Sequence, residues 1–290
     1  MTRPIVVVGD ALIDEIESPD GSSEFIGGAA LNVAVGVARL GAPAQLIAMV
    51  GDDEPGERIR AFLAEHGVEL IATTGPLGTS RAVSRRTPDG EPYYEFNAAA
   101  KNRRVEFGEA ERAAIAGASV VAVSCFPFDD AEQTNAFYDA VAASDAEFVV
   151  DPNPRSDMLT DAAEFVRGFE RFAPISAVIK VGDDDAELLY GIPLDDLVQR
   201  LRDAGAKTVL ATRGKDGATL FAEGAEPVHR GISSMPGPIV DTMGGGDATL
   251  ASFIASIALD PEIEGEVALQ RAMDVAAATV RHEGALLRTP

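Results

Sequence analysis

The sequence predicts an α/β protein: a mostly parallel sheet covered by helices on both faces, with a small β-flap beside it. Short apolar, β-branched runs alternate along the chain with Ala/Leu-rich stretches at helical spacing. The strand-like runs are apolar nearly throughout, as in strands buried on both faces. Two segments, residues 13–28 and 79–99, break the alternation, and each holds a Pro-Asp-Gly turn signal between strand-like flanks.

Taken in order, "PIVVVGD" (4–10) reads as the first buried strand, and "LNVAVGVARLG" (31–41) as a helix closed by Gly41. "AQLIAMVGD" (44–52) is a strand and "EPGERIRAFLAEHG" (54–67) a helix ending on Gly67. Further strands are "SVVAVSC" (119–125), "AEFVVDPN" (146–153), "SAVIKVG" (176–182) and "KTVLATRG" (207–214). Helices are expected over 129–144, 186–191 and 194–205. "RAVSRRT" and "YYEFN" form a hairpin that pairs with residues 13–28 as a lid, so residues 1–290 read as one α/β domain with a lid from 13–28 and 79–99.

The chain has 290 residues, 46% of them hydrophobic, enough for a sizeable core. A net charge of −23 excludes nucleic acid and anionic membrane as main partners. The single cysteine, Cys125, lies among apolar neighbours and reads as a buried, inert thiol. Three histidines, His66, His229 and His282, show no metal spacing and read as surface residues, with His229 in a polar turn. "MTRPIVVVGD" leads straight into a strand, and no apolar run approaches ~20 residues, so the sequence predicts a cytoplasmic protein.

In open α/β sheets, ligands sit beyond the carboxyl ends of the strands. Here those ends are polar: "VGDALID", "VVDPNPR", "VIKVGDDD" and "ATRGKDG". In "VDTMGGGDATLASF" (240–253) three glycines precede a helix-like run, which places bare backbone amides at a helix N-terminus, a site for phosphate. Asp247 stands beside that anion, where it either accepts a hydroxyl proton or merely caps the helix. A carboxylate there is expected to have a low pKa. "GDALID" and "GGAALN" place Asp14 and Asn32 near bare backbone, suited to vicinal hydroxyls or to a turn and cap. Neither a P-loop nor a G-x-G-x-x-G after the first strand is present, which argues against P-loop ATPases and nicotinamide enzymes.

Together these motifs resemble the ribokinase-like (PfkB) sugar kinases. "GGAALNVAVGVARLGA" is similar to the family's first signature and "VDTMGGGDATLASF" to its second, D-T-x-G-A-G-D. Between them "VVDPNPR" resembles D-x-N-x-R, "VIKVGDDDAELLYG" resembles K-x-[NS]-x-x-E-x-x-x-L-x-G, and "TRGKDG" resembles the nucleotide turn T-x-G-x-x-G. They fall in the family's order over nearly the whole chain. The resemblance implies a ribokinase-like three-layer fold and ATP-dependent phosphorylation of a sugar's primary hydroxyl. It implies Asp247 as catalytic base and Gly244, Gly245 and Gly246 as anion hole. Asp14, Gly28 and Asn32 match sugar contacts, and Arg155 a basic position near sugar or phosphates. Thr212, Gly214 and Gly217 match the nucleotide turn, Asp185 a water-mediated Mg²⁺ ligand, and Asp241 a position tied to a monovalent cation, often K⁺. A homodimer through the lid is the expected assembly.

Departures bear on metal and nucleotide. Gly182 and Asp185 stand where Asn or Ser and then Glu are usual, with Asp183 and Asp184 alongside. Met243, Gly245 and Thr249 replace the usual Thr, Ala and Phe, while the Gly284-Ala285 pair is kept. Ala29 in place of a usual lysine points away from ribokinases and toward a fructokinase acting on fructose or a related ketohexose. The alternatives are a kinase of 2-keto-3-deoxygluconate or of another sugar or nucleoside, or a non-catalytic sugar-binding relative. For a sugar acid, Tyr93, Tyr94, Arg81, Arg85 and Arg86 offer lid contacts, against which Glu95 stands.

Overall fold

The computed structural model describes residues 3–18, 21–86 and 92–290. Both turn tips of the lid, residues 19–20 and 88–90, lie outside the described residues, as do the side chains of Arg85, Arg86 and Tyr93.

The first half of the chain runs β1 (Ile5–Gly9), β2 (Leu12–Ser18), β3 (Gly21–Gly27), α1 (Ala29–Arg39), β4 (Ala44–Gly51), α2 (Glu54–Glu65), β5 (Val68–Gly75), β6 (Ser80–Arg86), β7 (Pro92–Phe96) and the short α3 (Ala98–Lys101). There follow α4 (Glu109–Gly117), β8 (Val120–Ser124), α5 (Ala131–Ala142), β9 (Glu147–Asp151), α6 (Ala162–Glu170), β10 (Val178–Gly182), α7 (Asp183–Tyr190) and α8 (Leu194–Asp203). The chain closes with β11 (Thr208–Thr212), β12 (Ala218–Ala222), β13 (Val228–Arg230), α9 (Gly245–Leu259) and α10 (Gly265–Thr279).

The main sheet has the order β13-β12-β11-β10-β9-β8-β1-β4-β5. It is parallel from β11 to β5 and antiparallel at the β12 and β13 edge. The two faces carry separate cores because strand side chains alternate. Ile5 and Val7 of β1 join a core with α1, α2, α9 and α10. Val6 and Val8 join a second core, rich in phenylalanine, with α4 to α8. This is the three-layer α/β arrangement that the sequence predicts. The edge strands β5 and β13 carry no continuous buried run (β5 mixes buried and exposed residues) and β12 only the short one at 218–220, which is why no long apolar signal marks them in the sequence. His229 lies on β13 and not in a turn.

On the first face, each of three strands changes from apolar to polar at its carboxyl end: Ala122 gives way to Ser124, Val149 to Asp151 and Val178 to Lys180. The alternation that builds the core thus also aims three polar side chains at one edge.

The lid is a second sheet, β3-β2-β6-β7, with β6 and β7 paired antiparallel, as the hairpin reading expects, and β2 parallel to β6. Arg81 joins Glu15 (3.1 Å) and Glu24 within it, and Arg58 of α2 pairs with Glu24 to tie it to the body. Gly28 closes the lid onto α1 with φ 109°, and a Cβ there would meet the Asp10 carbonyl oxygen at 2.8 Å.

Phe128 is wholly buried among Phe126, Phe165, Phe169 and Phe172, with ring centroids 5.2–5.9 Å away. Phe128→Ala is expected to cost about 3–5 kcal/mol, read as a lowered urea midpoint with an unchanged m-value.

Candidate active site

The carboxyl ends of β8, β9 and β10 meet the N-termini of α1 and α9 in one cleft. Gly244 caps α9 in the left-handed region at φ 76°, and a Cβ there would lie 2.1 Å from the Ala285 carbonyl oxygen. Only glycine lets the loop rest on the 284–285 turn. Asp241 braces the same contact: Oδ1 accepts from the Met243 amide (2.9 Å) and Oδ2 from the Gly284 amide (3.2 Å). Among the described residues no carbonyl accepts from the Gly246 or Asp247 amides, which lie in the first turn of α9 with its positive dipole end. The backbone therefore offers donors to an anion.

Asp247 is buried, and its Oδ2 accepts from Asn32 Nδ2 at 2.9 Å. Asn32 Oδ1 is buried with no partner among the described residues, a spare acceptor facing the same region. Burial raises the Asp247 pKa to about 6, against the Asn32 hydrogen bond and the charges of Arg155 and Lys180. This corrects the expectation of a low value: loss of water outweighs the helix dipole.

Asp14 on β2 is pushed up to about 7, chiefly by desolvation and then by Asp10 and Asp247. It lies across bare Gly27, where a Cβ would stand 2.1 Å from its Oδ2. Arg155 opens to solvent within the cleft. Burial by its surroundings opposes its charge, but Cys125, Asp247, Asp10 and Asp151 leave its pKa raised. Tyr94 of the lid has Asp14, Arg155 and Asp241 as electrostatic neighbours, which places it over the cleft. Asp14, Gly28, Asn32, Arg155 and Asp247 are thus brought together. Asp10 is spent on structure, since its Oδ1 accepts from the Ala30 amide (3.0 Å) at the start of α1. Cys125 is buried beside Asp10, and burial pushes its thiol up to about 12, which leaves it inert.

The nucleotide turn lies next to the Asp185 segment. Thr212 Oγ1 donates to the Val181 carbonyl (3.3 Å) and sits 3.1 Å from where a Cβ of Gly182 would stand. Gly214 and Gly217 follow in left-handed conformations, φ 49° and 90°. Asp185 is buried in the first turn of α7, and its Oδ2 accepts from the Gly182 amide (2.7 Å). Sequence reasoning missed the group between these parts. Lys180 Nζ donates to both Asp151 oxygens at 3.0 Å, and Ser124 Oγ donates to Asp151 Oδ2 at 3.2 Å. Asp151 and Lys180 each open a motif quoted from the sequence, but neither was given a role there; a second signal is polar residues at positions where the core alternation calls for apolar ones.

Unpaired backbone amides at a helix N-terminus, a buried carboxylate beside them and a β-lid are an arrangement suited to phosphoryl transfer, and comparison with known proteins places the chain in the sugar-kinase class. The chain belongs to the pfkB family of carbohydrate kinases, whose model matches residues 3–290. It is 30% identical to a fructokinase of Klebsiella pneumoniae over 89% of this chain and 85% of that one. It is 25% identical to an ATP-dependent 6-phosphofructokinase of Thermoanaerobacterium thermosaccharolyticum over 99% and 90% of the two chains. The fold matches Arabidopsis thaliana ribokinase complexed with ribose and ATP at a TM-score of 0.80 and 21% identity, over 98% and 95% of the chains. No helix among the described residues is long and apolar enough to cross a membrane.

An acid whose pKa is raised on folding adds stability below its unfolded value of 3.8, and loses that contribution as pH rises through about 6. Asp247→Asn, which removes the ionisation, is therefore expected to stabilise the protein at pH 7–8 by ~2–3 kcal/mol. The gain should vanish below about pH 4 in denaturant titrations run across pH.

Proposed function

We propose that this sugar kinase transfers the γ-phosphoryl group of ATP to the primary hydroxyl of a neutral ketohexose, with fructose as the first candidate. The observation that carries this is the placement of the Asp247 carboxylate, held by Asn32, beside the glycine amides of α9 in a cleft under the lid. Asn32 occupies Oδ2 of Asp247, so Oδ1 is the oxygen that takes the hydroxyl proton. The amides of Gly246 and Asp247 hold the moving phosphoryl group, while the Gly245 amide, expected to share in the anion hole, is already donated to the Thr242 carbonyl (3.3 Å); in such a reaction positioning and charge neutralisation do most of what a protein can do. Asp14 and the spare Asn32 oxygen orient the sugar, and the Thr212-to-Gly217 turn takes the nucleotide.

Charge supports a neutral substrate. Arg81, the described lid arginine suited to a sugar acid, is committed to Glu15 and Glu24, and Arg58 to Glu24. Arg155 faces Asp10, Asp14 and Asp247, so a carboxylate or phosphate on the sugar would meet more negative than positive charge.

Magnesium would enter with the nucleotide, where it neutralises phosphate charge. Asp185 fits it as a hard, buried oxygen donor whose ionisation burial disfavours until a cation arrives. Among the described residues no three acids, histidines or cysteines converge into a dedicated metal cage, in keeping with an ion held mostly by phosphates and water. Both Asp241 oxygens already hold backbone amides, so any K⁺ would sit against a loop that is braced without it. A homodimer through the lid would cover Phe25, exposed on edge strand β3.

An ADP-release assay over fructose, ribose, 2-keto-3-deoxygluconate, fructose 6-phosphate and adenosine, with and without Mg²⁺ and K⁺, tests this reading. Fructose is expected to give the highest kcat/KM. Asp247→Asn should lower kcat by ~10²–10⁴-fold with sugar binding nearly intact. The kcat should also fall as pH drops below about 6, as the base protonates. Sugar binding without turnover on any substrate would make the chain a binding relative instead.

A further inference from the structure

We infer that Lys180 is a positioning residue of the phosphoryl site: clamped by Asp151 on the sheet face beneath Gly246, its ammonium is a fixed positive charge under the first turn of α9. The inference rests on the reading of Asp247 as base and of the glycine amides as anion hole.

Lys180 and Asp151 are 6% and 0% exposed. A buried ion pair is poor value for stability, because apolar residues of similar volume usually do as well or better. Its place in the fold is therefore informative. Both Asp151 oxygens hold Nζ at 3.0 Å, and Oδ2 also accepts from Ser124 Oγ, which in turn accepts from Asn153 Nδ2 (3.3 Å). The ammonium cannot swing away. It stands 3.7 Å from where a Cβ of Gly246 would lie, so the ammonium faces the first turn of α9 across about the width of one methyl group.

The charged groups facing Lys180 are Asp151 on β9, Asp185 on α7 and Asp247 on α9. Those facing Asp247 are Asp151, Lys180 and Arg155, with Asp14 across the cleft. Burial disfavours the Lys180 charge, yet Asp151 and Asp185 more than offset it, so the lysine stays charged. One ammonium then favours an ionised Asp247 and an anion on the amides above it. Both effects act through a low-dielectric layer, where they are strongest.

The test compares Lys180→Met, Lys180→Arg and the double variant Lys180→Met/Asp151→Leu in the full chain. Lys180→Met should lower kcat by ~10²-fold or more, leave sugar KM within about threefold, and move the acid limb of the kcat–pH profile upward. Lys180→Arg, which keeps the charge, should leave that limb in place. Should Lys180→Met fold poorly, the apolar double variant should regain the thermal midpoint while kcat stays low. Near-normal kcat in Lys180→Met, an unmoved acid limb, or recovery of kcat together with stability in the double variant would overturn the inference. Asp247→Asn serves as control: turnover in that variant sinks the base assignment itself, whereas loss there with normal Lys180→Met sinks only the role of Lys180.

Discussion

The close approach of α1 and α9 is the constraint on which the site depends. Gly36 and Ala251 touch where the helices cross, and a Cβ on Gly36 would stand only 2.8 Å from that of Ala251. Asn32 is one turn before Gly36, and Asp247 one turn before Ala251. Two small residues therefore set the separation at which the Asn32 amide reaches the Asp247 carboxylate one turn away. The Asn32–Asp247 pair is a by-product of helix packing in the core. It is rigid for the same reason that the core is.

Around that contact the protein gathers charge in a place with little water. Asp14, Asp185 and Asp247 are all held above the usual carboxylate range, chiefly by burial. Each is favoured neutral by its surroundings, and in the proposed reaction a hydrogen-bond-donating substrate hydroxyl or an arriving cation would favour its ionised form. The cost falls on stability, and the phenylalanine-rich second core beyond the sheet has no polar duty to share in it. The two faces thus divide the labour. One is apolar to its end, while the other gives up its last side chain on β8, β9 and β10 to Ser124, Asp151 and Lys180, the last of these followed on that face only by Gly182.

Much of this was legible in the sequence. The buried parallel strands show as continuous apolar runs. The helix closures at Gly41 and Gly67 match their left-handed backbones. The lid hairpin is marked by its turn signal. The motif glycines were legible too, and Gly244 has the conformation and close contact that make any other residue strained. Edge elements such as β5 and β13 were not, because a half-exposed strand lacks the apolar run that betrays a buried one. Asp10 and Asp14 stand together in "GDALID", yet Asp10 binds the Ala30 amide at the start of α1 while Asp14 does not, a distinction that no local pattern encodes.

By itself the sequence determined the α/β class, the family and the motif residues, because these depend on local periodicity and on glycine placed where backbone must come close. Tertiary structure alone decided how those residues behave. It turned a carboxylate expected to be acidic into one titrating near 6, since desolvation is a property of everything packed around a group and not of its neighbours in the chain. It also joined Lys180 to Asp151 and set the lysine against Gly246, through two strands and a helix that the sequence keeps far apart.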